Sequence, residues 1–273
     1  MRLTLCSALL TAHVMAAANS PAWTMLTEGA AEQSPYKRLP AIVALGTIQS
    51  PEADKLVVAA MKDKEVFVRF AAVNALAERK SRADIPRLKT ALQDQSGEVS
   101  FTAAKALWEL GDRSGREVLE EVLDGDLKQS AGFVKEQIRS AKATMHNRKE
   151  LVWMGAIEGA GFLFGPLGTG LGVMEQVMKD STAAARIQSA KLLAQVKDPA
   201  TIADLGNALY DKNPLVRAAA ARLLGGFNDP TVRGKLRPLL EDKTDAVRYM
   251  AAASLVRIER RSKVRSQTPK AEN

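Results

Sequence analysis

Five stretches of this sequence are versions of one another. DKEVFVRFAAVNALA begins at Asp63, DQSGEVSFTAAKALW at Asp94, DSTAAARIQSAKLLA at Asp180, DKNPLVRAAAARLLG at Asp211 and DKTDAVRYMAAASLV at Asp242. Aligned, they place Arg69, Ser100, Arg186, Arg217 and Arg248 in one column, and a stride of 31 residues separates 69 from 100, 186 from 217 and 217 from 248. The same stride lands on Arg38 in SPYKRLPAIVALG and on Ala131 in LKQSAGFVKEQIRSA, which makes seven units. Self-similarity at this period restricts the fold sharply. Each unit buries its apolar side only against its neighbours, so the chain grows by stacking rather than around one thick core.

The columns supply the physics of the stack. Seven residues past the marker every unit has a large aliphatic: Leu45, Leu76, Leu107, Ile138, Leu193, Leu224 and Leu255. Three residues past it six units have a small side chain (Ala41, Ala72, Ala103, Ser189, Ala220, Ala251), and the fourth has Val134. Val68, Val99, Val216 and Val247 precede the marker and complete a stripe at i, i+4, i+8 on one helix face. Small residues let helices approach, and the leucines fill the space beside them. A 31-residue unit has room for two helices near the mean helix length and two short turns. Ser50-Pro51, Asp198-Pro199 and Asp229-Pro230 read as N-caps followed by proline in the first helical position. Gly46, Gly111 and Gly225 fall where the second helix should stop.

The pattern D-x-x-P-x-V-R-x-x-A-A-x-x-L-G, clearest at DKNPLVRAAAARLLG, resembles the HEAT repeat in the short bacterial form of bilin-lyase-like proteins. The resemblance covers residues 34–259 except for one insertion. It implies an all-α fold, a right-handed α-solenoid of about seven two-helix repeats. It also implies that Asp63, Asp180, Asp211 and Asp242, each six residues before its arginine, join Arg69, Arg186, Arg217 and Arg248 in a structural ladder between adjacent turns. Ser100 and Ala131 interrupt the arginine column, so no continuous basic groove is expected. The fold class leaves function open, because HEAT solenoids include scaffolds, receptors, lyases and some DNA-repair enzymes.

One segment departs from the period. The step from Ala131 to Arg186 is 24 residues longer than one unit, and the excess lies in NRKELVWMGAIEGAGFLFGPLGTGLGVMEQVMKD. Between Leu151 and Val173 only Glu158 is charged, and glycines at 155, 159, 161, 165, 168, 170 and 172 create small-xxx-small spacings. Such a helix is buried in protein or in lipid. Three readings follow: the insert caps the solenoid's own core, docks a partner through Trp153, Phe162 and Phe164, or contacts a membrane. Glu158 and Pro166 leave it short of the roughly 20 apolar residues a spanning helix needs. GPLGTGLG has no P-loop lysine and follows no strand.

Charge and chemistry narrow the function. Net charge is +8, of which residues 257–273 supply +4 and Arg2 one, leaving +3 for the body. No nucleic-acid partner is therefore expected. MRLTLCSALLTAHVMAAANS reads as a secretory signal cut before Asn19, and it contains the sole cysteine, Cys6. The mature chain then has no thiol and one histidine, His146, too few for the usual zinc sites or a Cys–His pair. No catalytic, cofactor or metal site is predicted.

The expected organisation is a signal peptide at 1–18, a linker or cap at 19–33, repeats at 34–146, the insert at 147–170, repeats at 171–259 and a basic disordered tail at 260–273. The expected function is a non-catalytic protein-binding scaffold, periplasmic or extracellular. A membrane-associated envelope protein, touching lipid through the insert or the basic tail, is the first alternative. A bilin-lyase-like or other HEAT-fold enzyme is the second.

Overall fold

A computed structural model of the chain describes residues 20–123, 180 and 182–267. Every regular element among them is helical. The helices are α1 (Pro21–Ala31), α2 (Pro35–Gly46), α3 (Pro51–Ala60), α4 (Val66–Arg79), α5 (Ile85–Ala91), α6 (Gly97–Glu109), α7 (Arg116–Leu123), α8 (Ala183–Leu193), α9 (Pro199–Ala208), α10 (Pro214–Leu224), α11 (Pro230–Leu236) and α12 (Asp245–Gln267). They fall into two compact units, residues 50–184 in one and 1–49 with 185–273 in the other.

Local chemistry sets the helix starts. Ser50 Oγ accepts from Ala53 N at 3.2 Å, Asp198 Oδ1 from Thr201 N at 2.7 Å and Asp229 Oδ1 from Thr231 N at 2.8 Å. Proline occupies the first position after each, where its missing N–H is not needed. Gly111 ends the second helix of its repeat at φ +83°, a left-handed conformation that a Cβ would oppose.

In the unit of residues 50–184, α3 packs on α4, α5 on α6, and α4 on α6, so second helices stack on second helices. Val68, Ala72 and Leu76 of α4, and Ala103 and Leu107 of α6, are completely enclosed, and Val99 nearly so. Burying each leucine contributes roughly 1.5–3 kcal/mol, which the small column permits by keeping the helices close.

The other unit contains a connection that the period does not announce. Here α10 packs on α12, as neighbours in sequence should, but α12 also packs on both α1 and α2. The first hairpin of the chain therefore stacks on the last repeat. Ala22, Trp23 and Leu26 of α1 are buried. Gly29 makes the approach possible: a Cβ there would lie 2.5 Å from the Tyr249 ring of α12. The segment 19–33, expected to be a linker or cap, thus contains a helix, α1, that pairs with α2. The end of the chain differs too. The segment from 260 onward, expected to be disordered, continues α12 through Gln267.

One column member breaks rank. Leu45, Leu76, Leu107, Leu224 and Leu255 are all buried, but Leu193 is 43% exposed, and Ser189 beside it is also exposed. Helix α8 buries its other flank instead, through Ala183, Ile187, Ala190 and Ala194. Ile138 and Val134 lie outside the described residues.

Candidate functional site

The marker arginines join repeats. Arg217 Nε and Nη2 donate to the two carboxylate oxygens of Asp242 at 2.8 and 2.9 Å, while Nη1 donates to the carbonyls of Asp211 at 2.8 Å and Lys212 at 3.3 Å. Arg69 holds Asp94 at 2.7 and 2.9 Å and the carbonyls of Asp63 and Lys64 in the same way. Arg186 forks onto Asp211 at 2.8 and 2.9 Å. Arg69 and Arg217 thus fix their own interhelix turns through the backbone, and all three guanidiniums bind the next repeat's aspartate through a bidentate fork. That aspartate also caps its own turn: Asp94, Asp211 and Asp242 each accept the N–H two residues on, at 2.8–2.9 Å.

The pairs polarise both partners. Asp94's hydrogen bond raises Arg69 above its ordinary pKa, outweighing burial, which opposes it. For Asp242, burial pushes the carboxyl up, but the Arg217 guanidinium and the Thr244 N–H outweigh it and hold it below the usual range.

The remaining ladder residues are placed differently. Arg248 donates to the Asp242 carbonyl at 2.7 Å and turns to Asp245. Arg38 clasps the Glu32 and Gln33 carbonyls at 2.9 and 2.7 Å. Asp63 accepts from Glu65 N at 2.9 Å and Asp180 from Thr182 N at 3.3 Å. Asp94 was absent from the sequence-derived ladder, although it stands one stride after Asp63. Its signal was obscured because its own unit has serine at the marker.

Trp153, Phe162 and Phe164 lie outside the described residues. The structure instead exposes another aromatic group, on the edge of α6. Phe101 is 37% and Trp108 42% exposed, at i and i+7 on one helix face. The helix then ends in a Schellman turn: Asp112 N donates to Leu107 O at 2.9 Å and Gly111 N to Trp108 O at 3.1 Å. This turn brings Arg113 back over the Trp108 ring, 3.8 Å from its centre, with Nη1 on the Trp108 carbonyl at 3.2 Å. Asp112 locks the turn by accepting from Ser114 N at 2.9 Å and pairing with Lys89 at 2.9 Å. Hydrogen bonding from Ser114, then from Lys89, holds its carboxyl down at about 2.

The column eight residues past the marker carries a signal for Trp108. Eight residues past the marker the other described units have Gly46, Ala77, Ala194, Gly225 and Val256. In α10 that position meets α12, since a Cβ on Gly225 would lie 2.6 Å from Ser254 Cβ. A tryptophan there cannot serve the same close stacking. In the other unit Leu192, Leu193 and Val196, near the end of α8, are exposed, as are Tyr36, Tyr210 and Val264.

Among the described residues, no group of three or more His, Cys, Asp or Glu side chains could hold a metal ion. None of their helices is long and apolar enough to cross a membrane.

Paired helices whose second members stack, joined at three steps by arginine–aspartate forks, define an α-solenoid. The chain belongs to the HEAT-repeat family, which it matches over residues 24–99 and 171–257. The first match begins within α1, in keeping with that helix's place in a repeat. No curated protein matches the chain in sequence. Among solved structures it is similar to human deoxyhypusine hydroxylase in complex with glycerol, at 19% identity over 87% of this chain and 98% of that one, with a TM-score of 0.36.

Proposed function

We propose that this HEAT-repeat chain is a non-catalytic adaptor that works outside the bacterial cytoplasm and binds a protein partner. The observation that carries the reading is the exposed Trp108, with Arg113 held on its ring by a locked turn. Tryptophan and arginine are the side chains that most often anchor interfaces, and prior ordering of the pair lowers the entropy cost of binding. Phe101 extends the apolar strip by two helical turns. The fold supports a scaffold because its most prominent charged pairs join repeat to repeat. The leader at 1–18 supports export, and the apolar insert with Trp153, Phe162 and Phe164 supplies a second contact.

The test is proximity labelling from the full chain in its native envelope, comparing wild type, Trp108→Ala and a deletion of residues 147–170. The two variants are expected to keep wild-type helicity and to lose one common labelled protein. Unchanged labelling in both variants would refute the partner-binding reading. Export has its own readout, since the mature N-terminus found by mass spectrometry is expected to be Asn19.

A further inference from the structure

We propose that the C-terminal end of α10, together with the last turns of α12, forms a binding site for a phosphate-class oxyanion held by the guanidinium groups of Arg257 and Arg261. The site begins with an ordinary structural need. Helix α10 stops at Leu224, where the N–H groups of Gly225, Gly226 and Phe227 close on the carbonyls of Ala221, Leu223 and Leu224 and leave others at its end to donors from elsewhere. Helix α12 runs alongside and supplies donors at helical spacing. Ser254 Oγ donates to Ala221 O at 2.8 Å and Arg257 Nη1 to Arg222 O at 3.3 Å. Arg261 Nη2 donates to Gly225 O at 2.5 Å and Phe227 O at 3.2 Å.

Capping does not account for all the charge that gathers there. A helix C-terminus offers about half a negative charge, and two guanidinium groups bring two positive ones. Lys197 adds a third cation, its Nζ 4.1 Å from the centre of the Phe227 ring. Among the described residues, neither Arg257 nor Arg261 has a carboxylate partner. The aspartates of the adjoining turns are engaged elsewhere, Asp198 by Thr201 N at 2.7 Å and Asp229 by Thr231 N at 2.8 Å.

The contrast with the ladder is direct. Arg69, which faces Asp94, is raised above its ordinary pKa. Arg257 is pushed down to about 10, by burial first and then by the neighbouring charges of Arg261 and Arg222. Burial lowers Arg261 as well. Cations held together in partial burial are destabilised, and an anion between them removes that penalty.

The donor geometry selects the anion. A guanidinium has five N–H donors in a planar fork, and each of these arginines engages the backbone through one nitrogen only. The unused edges suit an anion with several oxygens, which can accept from two forks at once, as chloride cannot. Arg257 is half-buried and Arg261 exposed, so the site is open to solvent.

The ligand is either free phosphate or a phosphate of an anionic lipid headgroup, and two arms separate them. In the first, the full chain is titrated calorimetrically with inorganic phosphate at pH 7, with sodium chloride at matched ionic strength as the blank. In the second, flotation is measured with phosphatidylglycerol vesicles and with phosphatidylcholine vesicles. Arg257→Gln and Arg261→Gln are compared with Lys55→Gln, an exposed cation of the other unit. Helicity is checked by circular dichroism. Saturable binding in either arm, weakened at least tenfold by each arginine variant and unchanged by Lys55→Gln, supports the site. Phosphate should also raise the Tm of wild type but not of Arg257→Gln. No saturable binding in both arms, or binding that all three variants weaken alike, overturns it.

Discussion

Arg217→Ala tests whether the forks hold repeats together or merely decorate the turns. The side chains of Arg217 and Asp242 are only 8% and 12% exposed. The substitution removes both arms of the fork and the donor to the Asp211 and Lys212 carbonyls, and leaves the Asp242 carboxylate with the Thr244 N–H. Breaking a buried pair from one side costs about 3–5 kcal/mol, and water entering the vacated space brings the expectation to about 3 kcal/mol. The Tm then falls by roughly 6–12 °C, at about 2–4 °C per kcal/mol for a chain of this order. Arg186→Ala is the control. Its pair with Asp211 has the same geometry but is 31% exposed at the arginine, so about 1 kcal/mol is expected. Arg217→Lys should not restore stability, because an ammonium cannot reproduce the fork.

Urea unfolding, followed by circular dichroism, reads the midpoints, and hydrogen exchange at Thr244 reads the local contact. The pH dependence has a defined sign. The folded-state pKa of Asp242 is depressed, so its contribution is present above the ordinary carboxylate pKa and disappears as pH falls through the folded value. The gap between wild type and Arg217→Ala should therefore narrow below about pH 4. An Arg217→Ala loss under about 0.5 kcal/mol, or one equal to that of Arg186→Ala, would mean that the fork does not hold the repeats together.

Gly225→Ala places a Cβ against Ser254, and a loss of about 2 kcal/mol in urea unfolding is expected. Gly234→Ala, inside α11 with nothing within 4 Å, should instead raise stability by about 0.5–1 kcal/mol. Leu45→Ala should cost about 2–5 kcal/mol, whereas Leu193→Ala, in the same column but exposed, should cost under about 1 kcal/mol. Trp108→Ala should lower the Tm by only a few degrees, since the residue is 42% exposed, while weakening partner capture at least tenfold.

The 31-residue stride and the Ser-Pro and Asp-Pro pairs made the repeats and their turns legible, because both depend on contacts within a unit or with the next one. What the sequence hid depends on contacts between distant segments. Residues 21–31 show no marker arginine, and their packing partner, α12, is the last helix in the chain. Periodicity assigns neighbours by order alone, so it could not place that hairpin. The RRSKVRSQ stretch looks polar on every side. It continues α12, and Arg261 within it bonds to the carbonyls of Gly225 and Phe227 just past α10, a contact that a hydrophobic stripe does not reveal. Leu193 shows the converse: membership of the column does not by itself bury a residue, since in α8 Ala183, Ile187 and Ala190 form the buried flank.

A residue repeated in every unit is explained by stacking, so recognition has to come from positions where units differ. The column eight residues past the marker makes the distinction measurable. Just past α10 it has Gly225, where even a methyl group would strike Ser254, and in α6 it has Trp108, 42% exposed with Arg113 on its ring. Enlarging the first side chain should separate two repeats. Removing the second should leave the stack intact and remove the anchor. The same column position thus serves close packing beside α12 in one unit and carries the proposed anchor in another.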